Sequence, residues 1–156
     1  MGGDGPISPE RAGSVPAFPL VEMCFSGKYT ESEVKKKLVG RGGAVAYFGI
    51  NDFRELVSRA EAGDKEAETF IKGYCISVAK YIAALATVVC GDIDAIILTG
   101  GISYSKYISE DITRRVRFIA PVEVYPGENE LESLAENGYG ILAGEFEINH
   151  YYPDHF

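Results

Sequence analysis

Two segments of this chain end a run of packing residues in residues suited to contact a ligand. In Asp94-Ala95-Ile96-Ile97-Leu98-Thr99-Gly100-Gly101-Ile102-Ser103 a short apolar, β-branched run meets a glycine pair. Such a run suits a strand buried on both faces. Glycines at its carboxyl end let another group approach the backbone, and that end is where ligands bind in α/β sheets. A tight strand-to-helix turn with no ligand is the other reading, and both stay open on this segment alone. The second segment is Gly49-Ile50-Asn51-Asp52-Phe53-Arg54-Glu55, after the apolar run Ala44-Val45-Ala46-Tyr47-Phe48. Asp52 can cap a helix or accept a hydroxyl, and Phe53 and Arg54 offer flat surfaces to a planar ring. Helix cap and core aromatic is the ordinary alternative. Arg11 sits in a Gly- and Pro-rich stretch. Its planar donor fork suits the oxygens of a phosphoryl group, although most lone arginines are simply solvated. Glu128 and Glu130 open the last helical stretch, where carboxylates can hold a divalent cation or merely complement the helix dipole. His150 and His155 lack partners at ligand spacing and receive no role. Lys28 and Lys35 to Lys37 read as a solvated face.

The elements that must position these residues follow from punctuation and period. Residues 1–18 read as loop, with prolines at 6, 9 and 16. Helices are predicted over Pro19–Phe25 and, after a possible cap at Thr30, over Glu31–Val39. Gly40, Gly42 and Gly43 break the chain before a predicted strand, Ala44–Phe48. Asp52 caps a helix to about Ala62, ended by Gly63, and Asp64 caps the longest helix. Its apolar positions, from Ala67 through Ile71, Val78 and Leu85 to Val89, recur every three or four residues. From Val78 onward it is apolar nearly all round, which predicts a central place in the fold. A strand over Asp94–Thr99, a helix over Tyr104–Arg115, a strand over Val122–Tyr125 and a helix over Asn129–Ala143 complete the order. Alternating strands and helices predict an α/β fold, a mixed or parallel sheet covered by helices. Residues 149–156 form an aromatic tail.

Bulk properties narrow the function. A chain of 156 residues, 46% hydrophobic, is ordinary for one globular domain. The net charge of −8 disfavours nonspecific binding to nucleic acid or to an anionic membrane. A phosphorylated ligand remains compatible, because a few local cations and backbone amides suffice for it. The three cysteines, Cys24, Cys75 and Cys90, show no paired spacing. They read as reduced, mostly buried thiols of a cytoplasmic protein. The amino end does not read as a signal peptide, and the longest apolar run, Tyr81 to Cys90, is too short to span a bilayer.

Taken together, the two strand-to-helix segments resemble the acetate and butyrate kinase family of carboxylate kinases. The resemblance extends to Asp4-Gly5-Pro6-Ile7-Ser8-Pro9-Glu10-Arg11-Ala12-Gly13, similar to the family's arginine-bearing loop. It includes Cys24 to Thr30, Ser105-Lys106-Tyr107 and Val122 to Glu128, and runs in family order from Asp4 to about Glu145. It implies the ribonuclease-H-like domain of the acetate and sugar kinase/Hsp70/actin superfamily. Residues 1–18 would be the arginine-bearing loop, 19–148 the adenosine-binding domain and 149–156 a tail. It implies the nucleotide-binding half of a butyrate kinase, which makes butanoyl phosphate and ADP reversibly from butanoate and ATP. An acetate, propionate or branched-chain carboxylate kinase is the runner-up. A noncatalytic nucleotide-binding or oligomerisation module is the competitor from another class. By resemblance, Arg11 contacts the phosphoryl group. Asp52, Phe53, Arg54, Gly100, Gly101, Ile102 and Ser105 hold adenosine, with Asp52 on the ribose. Glu130, with Glu128 beside it, associates with Mg²⁺. Ser105 stands where acetate kinases usually carry Asn, which implies looser base recognition. The family's amino-terminal phosphate-binding turn and acyl pocket have no counterpart in this chain. A longer polypeptide or a partner is therefore expected to supply them, with the complete enzyme a homo-oligomer and this chain inactive by itself.

Overall fold

A computed structural model describes residues 5–127 and 130–148, the side chain of Glu130 excepted. Seven helices and two strands follow in the order α1 (Ala17–Phe25), α2 (Glu31–Leu38), α3 (Gly43–Phe48), α4 (Phe53–Glu61), α5 (Lys65–Ala86), β1 (Ile96–Gly100), α6 (Lys106–Val116), β2 (Val122–Pro126) and α7 (Glu130–Ala143). A short 3₁₀ turn, Gly101–Tyr104, joins β1 to α6. The predicted helix over Tyr104–Arg115 therefore starts two residues later.

β1 and β2 pair in parallel, with Ile96 opposite Val122 and Leu98 opposite Val124. Two parallel strands need a crossover between them, and α6 is that crossover. Where a mixed sheet was one expectation, the described residues hold this parallel pair alone. The core lies where α5 packs between α4 and α6, with α6 lying against β2. Each helix contributes one stripe. Ala67, Ile71 and Cys75 of α5 recur every fourth residue, as do Ile108, Ile112 and Val116 of α6. Leu56, Val57 and Ala60 of α4 close the cluster, with Ile96 of β1.

Local chemistry explains the helix starts. Thr30 and Glu33 form a reciprocal capping box at α2. Asp52 caps α4 by accepting from the Arg54 N–H at 2.9 Å. Asp64 caps α5 by accepting from the Glu66 and Ala67 N–H groups at 3.0 and 3.2 Å. Asp64 also receives both Nε and Nη2 of Arg59, at 2.8 and 2.6 Å, which locks the corner between α4 and α5.

Three expectations are corrected. The stretch Ala44–Phe48 is helical, within α3, not a strand. Its leading N–H groups find acceptors on the preceding loop: Ala44 donates to the Ser8 carbonyl at 3.3 Å and Val45 to the Pro9 carbonyl at 3.0 Å. Gly49, left-handed at φ 72°, ends it. Second, α5 stops at Ala86, and its far end is not central. Val78, Ala79 and Ile82 still pack half-buried against the core, whereas Leu85 is 65% exposed. By length and mean hydropathy, 1.2 over its most apolar window, α5 would suffice to cross a bilayer. Here its buried stripe serves the core, the common use of an apolar helix. Third, only Cys75 is buried. Cys24 and Cys90 are exposed, one on α1, which buries no residue, the other in the turn after α5. Burial pushes the Cys75 thiol up to about 12, so it packs as a hydrophobe.

Candidate functional site

Between α4 and the β1–α6 junction runs an open groove of about 1110 Å³. One face of α4 forms a wall with Arg54, Val57, Ser58 and Glu61, spaced as one helix face requires. Asn51, Asp52 and Phe53 extend that wall at the start of α4, and Pro9 stands at its edge. The opposite wall is Gly101, Ile102, Tyr104 and Ser105, continued by Lys106 and Tyr107. Six of the seven residues expected to hold adenosine thus line one groove, although Asp52 and Ser105 lie far apart in sequence. Gly100, the seventh, ends β1 beside them with φ 86°, a left-handed turn that favours glycine.

The polar groups of the groove differ in how they are engaged. Asp52 accepts from Arg54 Nε at 3.0 Å and from Nη2 at 2.7 Å as well as from its backbone. These bonds from Arg54, side chain first and backbone second, hold the Asp52 carboxyl down to about 2. It is therefore an ionised acceptor throughout the neutral range. The Arg54 side chain is 91% exposed, so its guanidinium face is open. Phe53 is different from expectation. Its ring is 6% exposed and packs edge-on against Phe70 and Tyr74, with centroids 6.1 and 4.9 Å away. It buttresses the wall from behind and offers no flat face to a ligand. Ser105 occupies the N-cap position of α6 without capping it, and its Oγ is buried with no hydrogen-bond partner. An unpartnered buried hydroxyl carries a desolvation cost.

Arg11 is exposed and does not line the groove, although its neighbour Pro9 does. Its loop is held on several sides. Glu10 O accepts from the N–H groups of Gly40 and Gly42 at 2.8 and 3.1 Å, and Ala12 donates to Leu38 O at 2.9 Å. On α5, Tyr81 Oη accepts from the Gly5 N–H at 3.2 Å and pairs with Ser14 Oγ, and Ser77 Oγ accepts from the Ile7 N–H at 3.4 Å. The approach to the glycine run is so close that a Cβ at Gly43 would lie 1.8 Å from Ser8 O. The glycines expected only to break the chain are the seat of the Arg11 loop.

For a metal, the described residues contain no cluster of three or more His, Cys, Asp or Glu. Glu128 and the Glu130 side chain lie outside the described residues, as do His150 and His155. What is described is the start of their segment. Gly127 exchanges backbone hydrogen bonds with Gly100, N–H to O at 3.1 and 3.3 Å, so the chain leaves β2 beside the glycine pair. Asn51, Ser58, Glu61 and Tyr104 were not singled out from sequence. The spacing of Arg54, Ser58 and Glu61 along one face of α4 was the signal for two of them.

A glycine turn at the end of β1 thus faces the capped start of α4 across one open groove. The fold agrees with the crystal structure of the acetate kinase from Porphyromonas gingivalis, with a TM-score of 0.77 over 89% of this chain and 41% of that one at 19% identity. Residues 7–139 match the model of the acetokinase family, and the chain belongs to that family. Two relatives are a probable butyrate kinase from Bacteroides thetaiotaomicron and butyrate kinase 1 from Clostridium acetobutylicum. Each is 48% identical over 97% of this chain, which spans only 43% and 42% of their respective lengths.

Proposed function

We propose that this chain is the nucleotide-binding part of a butyrate kinase, completed by the polypeptide that its relatives carry beyond the matched region. The observation that carries the reading is the groove. It joins Asp52 and Arg54 to Gly101, Ile102 and Ser105 in a chain about half identical to proteins named butyrate kinases. Residues 1–18 act as the arginine-bearing loop, 19–148 as the adenosine-binding domain and 149–156 as a tail. The enzyme works in the cytoplasm as a homo-oligomer.

In this reading the Asp52 carboxylate accepts a ribose hydroxyl and the Arg54 guanidinium covers one face of adenine. Ser105, in the groove wall, borders the base. The bare backbone at Gly100 and Gly101 lets the phosphates pass close to the strand end. A butanoate oxygen attacks the γ-phosphorus of ATP as the bond to the β,γ-bridging oxygen breaks, leaving butanoyl phosphate and ADP. Catalysis then consists of alignment and neutralisation of charge on the equatorial oxygens, and Arg11 supplies a fixed donor fork for them. Glu130 and Glu128 would hold Mg²⁺, which neutralises phosphate charge when bound. Acetate, propionate and branched acids remain alternative acceptors, since the acyl pocket belongs to the other part of the protein.

Two experiments test the reading. The chain alone binds ADP in the millimolar range, about −4 kcal/mol, with NMR shifts at Gly100, Gly101 and around Asp52. Shifts confined to other surfaces would sink the groove. In the full-length protein, Arg11→Ala lowers butyrate-dependent turnover about a hundredfold, measured as trapped hydroxamate at saturating ATP. Unchanged turnover returns Arg11 to solvent. Absence of butanoyl phosphate from the full-length protein, with ADP still bound, would favour the noncatalytic module.

A further inference from the structure

Besides Pro9 at the groove edge, a side-chain contact links the groove to the Arg11 loop, and neither of its residues belongs to the site read from sequence. Asn51 Nδ2 donates to Glu10 Oε1 at 2.8 Å, across 41 residues of sequence. An isolated exposed hydrogen bond does little, because both ends move. Here the backbone at each end is anchored. The Glu10 carbonyl is gripped by the Gly40 and Gly42 N–H groups. Asn51 lines the groove and directly precedes Asp52, whose carboxylate is tied to the first turn of α4 and to the Arg54 guanidinium.

We propose that the Asn51–Glu10 hydrogen bond is a strut through which a nucleoside in the groove sets the position of Arg11. Asn51 and Glu10 are positioning residues. Neither reaches a reacting atom, and they act through the loop. A ligand that fixes Asn51 from the groove side fixes the Glu10 side chain, and Arg11 is the next residue. The bond is already formed without a ligand. The consequence is that a nucleoside pressing on Asn51 displaces or restrains the Arg11 loop with it. The inference rests on the nucleotide reading of the groove.

The test uses the chain itself, ¹⁵N-labelled, with adenosine as the probe. Adenosine has no phosphate, so it cannot pull Arg11 by direct charge. Adenosine should shift the amides of Gly101 and Ile102 and also those of Arg11 and Ala12. Glu10→Ala should abolish the shifts at Arg11 and Ala12 while those at Gly101 and Ile102 persist, with affinity changed by less than about threefold. Glu10→Gln keeps an acceptor for Asn51 and should retain the loop response, whereas Asn51→Ala should lose it. Loop shifts that survive Glu10→Ala, or that never arise in the native chain although the groove responds, overturn the strut and leave the nucleotide reading standing. A groove that does not respond to adenosine or to ADP overturns the nucleotide reading, and the strut with it.

Discussion

The two halves of α5 share one helix and one apolar period, yet they meet opposite fates. Ile71 and Cys75 are fully buried between α4 and α6, whereas Leu85, further along the helix, is 65% exposed. α7 resembles the exposed half, with Leu131, Leu134 and Leu142 all open. Periodicity therefore marks a face that can be buried and says nothing about whether a partner is present. Between them, Ser77 and Tyr81 still hold the Arg11 loop. The exposed far end is the kind of surface a longer protein covers, and the family relatives are more than twice the length of this chain.

The comparison can be broken or sharpened by mutation. The largest effect is expected at the glycine seat of the Arg11 loop. Gly43→Ala forces an L side chain into φ 56° and drives Cβ onto Ser8 O. Left-handed strain of about 1–2 kcal/mol and overpacking of about 1–3 kcal/mol should together remove about 2–5 kcal/mol of stability. Urea unfolding measures the loss, and faster hydrogen exchange at the Ala12 amide shows that the loop has left its seat. A loss under about 1 kcal/mol would mean that the loop relaxes freely.

Within α5, Ile71→Ala should cost about 3 kcal/mol, because it opens a cavity in a closed cluster. Leu85→Ala should cost under about 0.5 kcal/mol. Equal costs would show that the far half has a partner in solution. A dependence of the Leu85→Ala effect on protein concentration would identify that partner as a second copy of the chain.

The smallest effect is electrostatic. The Asp52 carboxyl sits at about 2 through its bonds from Arg54, and the Glu68 carboxyl at about 2 through its bonds from Lys65 and Lys72. Their unfolded values are about 3.9 and 4.3. A depressed folded value stabilises above the unfolded value, so both contributions are complete above about pH 5. They fall away as pH drops from about 4 towards 2. Both pairs are exposed, so the loss is modest. Urea midpoints against pH should fall less steeply below about pH 4 in Asp52→Asn and Glu68→Gln than in the native chain. Parallel curves would show that these bonds do not persist in solution.

What the sequence determined by itself is what local chemistry decides. Thr30 with Glu33, Asp52 and Asp64 mark three helix starts because each satisfies N–H groups two or three residues away. The apolar run before Gly100 marks β1, but the expected burial on both faces does not hold, since only Ile96 of its residues is buried and Ile97 is 63% exposed. The likeness of several motifs in order pointed to the family, and so to the residues now found in the groove. Other features were decided only in three dimensions. Ala44–Phe48 is too short for its period to separate strand from helix, and carbonyls from Ser8 and Pro9 settle it as helix. Phe53 reads as a ring for a ligand until Phe70 and Tyr74 close on it. The bonds from Asn51 to Glu10 and from Gly5 to Tyr81 span 41 and 76 residues. No local preference encodes a contact across such a distance. It exists only after the packing of α4, α5 and α6 has closed the loop between its ends.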